Sequence, residues 1–341
     1  MNPDILAELG WSNDFLRQLD LDEVATTTPA RVTAVHRARI EALAAAGVLD
    51  LIPNSNLSTA DVAVGDWLLA RDGVALRILD RHSLVARKAA GSAVARQLIA
   101  ANLDSLLVVS SCNADFNLGR LERFLVLAAS AGVEPVVVLT KADTCPDPEV
   151  YLAEARGLKR GLAVVALDAK RADVRAVLSD WCRAGHTVAL LGSSGVGKTT
   201  IANALTGGQA AVQDTRDGDA KGHHTTTGRY LVAMAAGGWL IDTPGMREVQ
   251  LTDAGDGIDI MFDDFTALAL RCRFSDCHHD REPGCAVQAA IVAGEVTLDR
   301  LLRWQKLLRE DRFNSETIQD AHARARNFGR LHRKTPDKRK T

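Results

Sequence analysis

Three cysteines and two histidines lie within fourteen residues, in the run "CRFSDCHHDREPGC" from Cys272 to Cys285. Three thiolates and one imidazole suit a closed, tetrahedral, structural zinc site. Cys272, Cys277 and Cys285 would give the sulfurs, and His279 or its neighbour His278 the nitrogen. Four protein ligands leave no open position for catalysis; the competing reading is a set of buried free cysteines. The other cysteines, Cys112, Cys145 and Cys182, are scattered, which is not the pattern of a secreted disulfide framework.

A second chemistry stands in "LLGSSGVGKTT". Gly192, Ser193, Ser194, Gly195, Val196, Gly197, Lys198 and Thr199 match the phosphate-binding loop in full, with Thr200 behind them. The strand-like "TVALL" leads in and the helical "TTIANAL" leads out. Glycines let backbone N–H groups turn towards phosphate, and the helix N-terminus adds its positive end. Lys198 would bridge the β- and γ-phosphates, and the Thr199 hydroxyl would hold Mg²⁺. Downstream, "LIDTPG" ends an apolar strand on Asp242, a second carboxylate for Mg²⁺, and Gly245 can offer an N–H to the γ-phosphate. A plain proline turn is the alternative there. The polar "AKGHHTTTGR" between them suits a loop that closes on the phosphates. One of Thr225, Thr226 and Thr227, with Thr226 at the centre, would complete the Mg²⁺ shell.

The third motif is "TKAD": Thr140, Lys141, Ala142 and Asp143. A carboxylate at Asp143 can accept from N1–H and the 2-amino group of guanine, while the Lys141 stem lies along the base. Adenine lacks that pair of donors, so the motif selects GTP over ATP. Alone it could be a capping aspartate opening a turn. It comes about fifty residues before the phosphate loop, whereas most phosphate-loop proteins place it after. In a parallel sheet, neighbours in space need not follow chain order, so joining close termini and cutting elsewhere preserves a site. The order base motif, phosphate loop, threonine loop, DTPG reads as a GTPase domain in circular permutation.

The elements that must position these groups follow from patterning. Residues 1–29 read as a polar lead-in with one short amphipathic helix, "NDFLRQLDL", ended by Pro29. Then "RVTAVHRARIEAL", "GVLDLI", "GDWLLARD" and "VALRILDRHSLVAR" are β-like runs with Gly, Asn and Asp turns, as in a small barrel such as an OB-fold. "DSLLVVSS", "EPVVVLTK", "LAVVALD" and "HTVALLG" are buried strands, interleaved with the helical "LGRLERFLVLAASAG" and "DVRAVLSDWCRA"; that alternation means a parallel sheet covered by helices. A helical, cysteine-bearing segment follows from about Met261. From Arg324 onward there are eight Lys or Arg residues against one acid, Asp337, although the net charge is only −2. Such a tail suits a polyanion, or is merely solvated. With no signal peptide and no apolar run near the ~20 residues of a membrane helix, the expected location is the cytoplasm.

Together, "ANLDSLLVV", "TKAD", "GSSGVGKTT", "HTTT", "DTPG" and the cysteine run resemble the circularly permuted, ribosome small subunit-dependent GTPases of the RsgA/YjeQ family, across nearly the whole chain. The resemblance implies a multi-domain fold: extension 1–29, OB-fold β-barrel 30–95, α/β phosphate-loop GTPase core 96–255 and α-helical zinc-binding domain with basic tail 256–341. It implies a monomer that hydrolyses GTP to GDP during late maturation of the 30S subunit. Contacts to 16S rRNA and stimulation by the subunit belong to the same expectation. It favours His279 over His278 as the fourth zinc ligand. Met246 stands where Ras-like GTPases carry the water-orienting glutamine, so intrinsic turnover should be slow. His224 is the family's candidate for that role, against a plain loop histidine. Asp168 in "ALDAK" departs from the Ser-Ala pair expected behind the guanine, where Ala169 could still offer its N–H. Two other functions stay open: a nucleotide-controlled RNA-binding module with little turnover, and a phosphate-loop ATPase or kinase in which TKAD is accidental.

Overall fold

The computed structural model describes residues 3–88, 96–168, 174–208, 229–242 and 254–333. They belong to two compact units: Met1–Ala86 with Leu98–Val249, and Arg87–Gln97 with Gln250–Thr341.

The first unit opens with three short helices, α1 (Pro3–Glu8), α2 (Asn13–Leu16) and α3 (Leu21–Thr26). The lead-in is thus more than one helix, and it is packed: Leu6, Leu9 and Phe15 are buried with Trp67, Leu69 and Leu79. Short helices lack hydrogen bonds enough to stand alone, so tertiary packing holds them. A capping box supports α3, the Glu23 N–H donating to Asp20 and the Asp20 N–H to Glu23.

Five strands follow: β1 (Thr28–Val35), β2 (Ile40–Ala44), β3 (Gly47–Pro53), β4 (Trp67–Arg71) and β5 (Val74–Ile78). They close into a barrel in the order β1-β2-β3-β5-β4, with β3 and β5 parallel and the other pairs antiparallel. Period-two alternation buries Ala30 and Val32, then Ile40, Ala42 and Ala44, and the small residues let so few strands close around them. The run "RVTAVHRARIEAL" splits into two strands because the His36 N–H bonds the Arg39 carbonyl at 3.0 Å and turns the chain. The last β-like run also splits: β6 (Leu84–Lys88) pairs instead with β7 (Arg96–Ala101).

The same unit then builds β8 (Ser105–Ser111), α4 (Leu118–Ser130), β9 (Glu134–Thr140), α5 (Pro148–Arg156), β10 (Ala163–Ala166), α6 (Val174–Val177), β11 (Thr187–Gly192), α7 (Lys198–Thr206), β12 (Tyr230–Ala233) and β13 (Trp239–Asp242). The sheet order is β10-β9-β8-β11-β13-β12. Five strands are parallel, as their unbroken apolar runs imply; β12 is an antiparallel edge on β13. The Gly237-Gly238 pair, at φ +88° and +78°, makes the tight return between them. The expected helix "DVRAVLSDWCRA" is helical only over Val174–Val177 and goes on as hydrogen-bonded turns.

Buried Arg31 of β1 ties the barrel to this sheet. Its guanidinium donates to the Leu9 carbonyl and to the Thr187 hydroxyl at the start of β11. Burial pushes its pKa down to about 10, opposed by Asp104, so it stays charged at neutral pH. Asp104 accepts from the Thr187 N–H at 2.7 Å.

The second unit holds α8 (Gly255–Met261), α9 (Asp263–Ala269), α10 (Ala286–Val292) and α11 (Leu298–Arg333). Phe262, Phe265, Leu301, Trp304 and Leu307 are buried. Arg300 pairs with Asp264 and stacks over Phe262 and Phe265 at 5.3 and 5.5 Å. The first basic residues of the tail, Arg324 to Arg333, continue α11 as helical backbone.

Arg77 donates to both Glu23 oxygens at 2.7 and 2.8 Å, holding that carboxyl at about 2 against a usual 4.5. A depressed acid stabilises the fold above its unfolded pKa and loses that contribution as pH falls through the folded one. Glu23→Gln should therefore cost about 1 kcal/mol at neutral pH, a modest value for a partly exposed pair. The gap from wild type should close between about pH 4.5 and 2, read from denaturant midpoints across that range.

Candidate functional site

In-register pairing brings the motifs together. In the central strand β8, Val109 pairs with Gly192 of β11 on one side, and Ser111 pairs with Thr140 of β9 on the other. Phosphate loop and base motif therefore leave the sheet at the same edge, the carboxyl ends of its strands. The chain order reverses between β8 and β11, the position where such sheets bind ligands.

Residue types dictate the local shape. A Cβ on Gly192 would lie 2.2 Å from the Val109 carbonyl oxygen, so only glycine permits that pairing. Val196 is buried and pins the loop to the core beneath it, alongside Leu190 and Ile201. Ser194, Gly195, Thr199 and Thr200 are exposed, while Ser193, Gly197 and Lys198 are half-buried. The Lys198 ammonium donates to the carbonyls of Gly192 at 2.7 Å and Ser193 at 2.5 Å, which holds its charge over the loop.

Thr140 joins the two motifs directly. Its buried hydroxyl lies 2.6 Å from the Val196 carbonyl and 3.1 Å from that of Ser110; with one hydrogen it can donate to only one at a time. Lys141 takes a left-handed conformation at φ +58°, and Ala142, Asp143 and Thr144 form a 3₁₀ turn closed by the Thr144 hydroxyl on the Lys141 carbonyl. Asp242 ends β13, and β13 pairs with β11, so its backbone stands beside the strand that feeds the phosphate loop. His224, Thr226, Gly245, Met246 and Ala169 lie outside the described residues.

In the second unit the ligand atoms of Cys272, Cys277, His279 and Cys285 all lie within 4.8 Å of one another. His279, not His278, stands in the cluster, its Nδ1 3.5 Å from both Cys272 Sγ and Cys285 Sγ. Those two sulfurs are 3.9 Å apart. A tetrahedron with ~2.3 Å zinc–sulfur bonds has edges of about 3.8 Å, so the donor set fits such an ion. Burial lowers the His279 pKa, which favours the neutral imidazole that a ligand must be. Burial also raises the Cys272 thiol, but hydrogen bonds from the N–H groups of Ala286 and Val287 at the start of α10, together with those of the Cys285 and Cys277 thiols, outweigh it and the net shift is downward. Cys277 is pushed up to about 11 by burial and by its neighbours Cys285 and Cys272. Crowded thiols resist sharing negative charge, and a dication relieves that.

Three groups around this cluster escaped the sequence reading. Glu282 accepts from the N–H groups of His278, Asp280 and Arg281 at 2.8, 2.9 and 3.1 Å. Gln288 and Gln305 donate to the carbonyls of His279 and His278. The hint was the run Glu282-Pro283-Gly284 before the last cysteine, a turn with an acid at its head. Arg120, on α4, was missed too: its guanidinium donates to the Ser193 hydroxyl at 2.7 Å.

A sheet of this order, with a phosphate loop on one side of its central strand and a TKAD turn on the other, defines a phosphate-loop GTPase core in circular permutation. The chain belongs to the RsgA GTPase family, whose model matches residues 78–252. It is 50% identical over 316 residues, 91% of each chain, to "Small ribosomal subunit biogenesis GTPase RsgA" of Mesorhizobium japonicum. It is 48% identical over 338 residues to "Small ribosomal subunit biogenesis GTPase RsgA 2" of Vibrio parahaemolyticus, covering 98% of this chain and 94% of that one. The crystal structure of YjeQ from Thermotoga maritima shares the fold with a TM-score of 0.63 at 23% identity, covering 83% of this chain and 98% of that one. YloQ, described as a circularly permuted GTPase, gives 0.60 at 21%, covering 87% and 96%.

Outer groups such as Glu282 commonly change metal affinity 10–100-fold. Glu282→Ala should lose about tenfold in zinc affinity, measured by competition with a chromophoric chelator. Glu282→Asp should recover part of that loss.

Proposed function

We propose that this GTPase hydrolyses GTP to GDP and phosphate as a timer in late maturation of the small ribosomal subunit, binding 16S rRNA and being stimulated by the 30S particle. The observation that carries it is the convergence of TKAD and the phosphate loop on either side of β8. A carboxylate at Asp143 matches the paired donors of guanine. Lys198, held over the loop, meets the phosphates as they enter. Thr199, Asp242 and Thr226 would hold Mg²⁺, which supplies charge neutralisation at the β- and γ-oxygens when bound. Gly245 offers an N–H to the γ-phosphate, and His224 positions the attacking water in place of the glutamine that Met246 replaces. In this reading the chain divides into barrel 30–95, GTPase core 96–255 and zinc-binding domain 256–341, with one structural zinc on Cys272, Cys277, His279 and Cys285, a set whose ligand atoms lie close enough to share an ion. The protein works as a cytoplasmic monomer; no helix among the described residues is long and apolar enough to cross a membrane.

GTP turnover of the purified protein should be slow and rise on the order of a hundredfold with small ribosomal subunits. No stimulation would leave the reading as a nucleotide-controlled RNA-binding module. ATP should not displace labelled GDP. Asp143→Asn should lower GTP affinity about a hundredfold, since two charge-assisted hydrogen bonds to the base are lost; unchanged guanine preference would sink the base assignment. Binding to the subunits should weaken steeply with salt, as phosphate contacts do.

A further inference from the structure

We propose that Arg120 is a positioning residue of the phosphate loop, acting through Ser193 on Lys198. The inference rests on the reading of this loop as the GTP site and deepens it. The Asn117 side chain caps α4 by accepting from the Arg120 N–H at 2.9 Å, which sets where the helix begins and makes Arg120 its third residue. The positive end of a helix favours an acid at that position, so a cation there is held for another reason. Among the described residues no carboxylate pairs with it; its side-chain partner is the Ser193 hydroxyl at 2.7 Å.

Ser193 is also the residue whose carbonyl accepts from Lys198 Nζ at 2.5 Å. One residue thus receives a guanidinium on its side chain and an ammonium on its backbone. The relay runs from Arg120 to the Ser193 hydroxyl, through the Ser193 peptide to its carbonyl, and on to the ammonium that meets the phosphates. Holding Ser193 from outside pre-orders the cradle, so less ordering is left to the nucleotide. Arg120 is exposed, so its bond adds little to global stability. Its effect should appear in nucleotide handling and not in the fold.

The test compares wild type, Arg120→Ala, Arg120→Lys, Ser193→Ala and the Arg120→Ala/Ser193→Ala double variant. Affinities for fluorescent GTP and GDP analogues, subunit-stimulated kcat/KM and the thermal midpoint are measured on the full chain. Arg120→Ala and Ser193→Ala should each lower kcat/KM about tenfold and weaken the GTP analogue more than the GDP analogue. The double variant should be no worse than the worse single, because both remove one interaction. Arg120→Lys should recover part of the loss, and the midpoints should stay together. Losses that multiply in the double variant would overturn the relay. So would a loss in Arg120→Ala without one in Ser193→Ala, which would mean that the arginine acts on phosphate itself, or unchanged kinetics in both. Failure of the site reading would appear separately, as a wild-type protein that does not bind the GTP analogue.

Discussion

The parallel ladder on both sides of β8 is the constraint on which the nucleotide site depends. Every residue of that strand is buried, and its backbone pairs with β9 and β11 at once. Backbone groups so deep must be paired, and a one-residue slip would leave them mismatched while turning apolar side chains to the wrong face. Register therefore sets the separation of Thr140 and Gly192 more firmly than any side chain does. The Thr140 hydroxyl on the Val196 carbonyl then adds a local tie. The continuity of the hydrogen bonds in space, and not the order of the segments along the chain, defines the site. That is why a permuted chain can keep it.

Around this centre, buried charge joins the barrel to the GTPase sheet. Arg31 is 1% exposed and spans from the Leu9 carbonyl to the first residue of β11. Asp66 is fully buried, accepting two bonds from Arg81 and one from the Ala63 N–H; these partners offset its desolvation only in part, and burial still leaves its pKa above the usual carboxylate value. Breaking one member of such a set strands the others. The strand that feeds the phosphate loop is thereby held at its opposite end by the barrel and the N-terminal helices. These contacts make residues 3–30 part of the folded unit.

The cysteine module rests on a different economy. Three of its four helices are only seven residues long and their aromatic cluster is small, so much of the ordering falls to a carboxylate and to four side chains that could hold a metal. Glu282 gathers three N–H groups of the turn, and this leaves its carboxyl at about 2. The turn is built before the ligands are counted, with His279 at φ +62° and its ring 5.5 Å from that of Trp304. That conformation brings His279 into the cluster, while the backbone N–H of His278 bonds Glu282.

Local chemistry was legible in the chain itself. Glycine spacing marks a phosphate loop, unbroken apolar runs mark buried parallel strands, alternation marks the barrel, and three cysteines with a histidine mark a metal. These signals lie within a few residues of one another, where covalent connection already restricts geometry. Tertiary structure decided what depends on approach between distant segments. The packed N-terminal helices, the antiparallel β12, the choice of His279, the Glu282 turn and the reach of Arg120 to Ser193 all belong there. Arg120 and Ser193 are 73 residues apart. No spacing rule links them, and only the shared register around β8 brings α4 and the phosphate loop within a hydrogen bond.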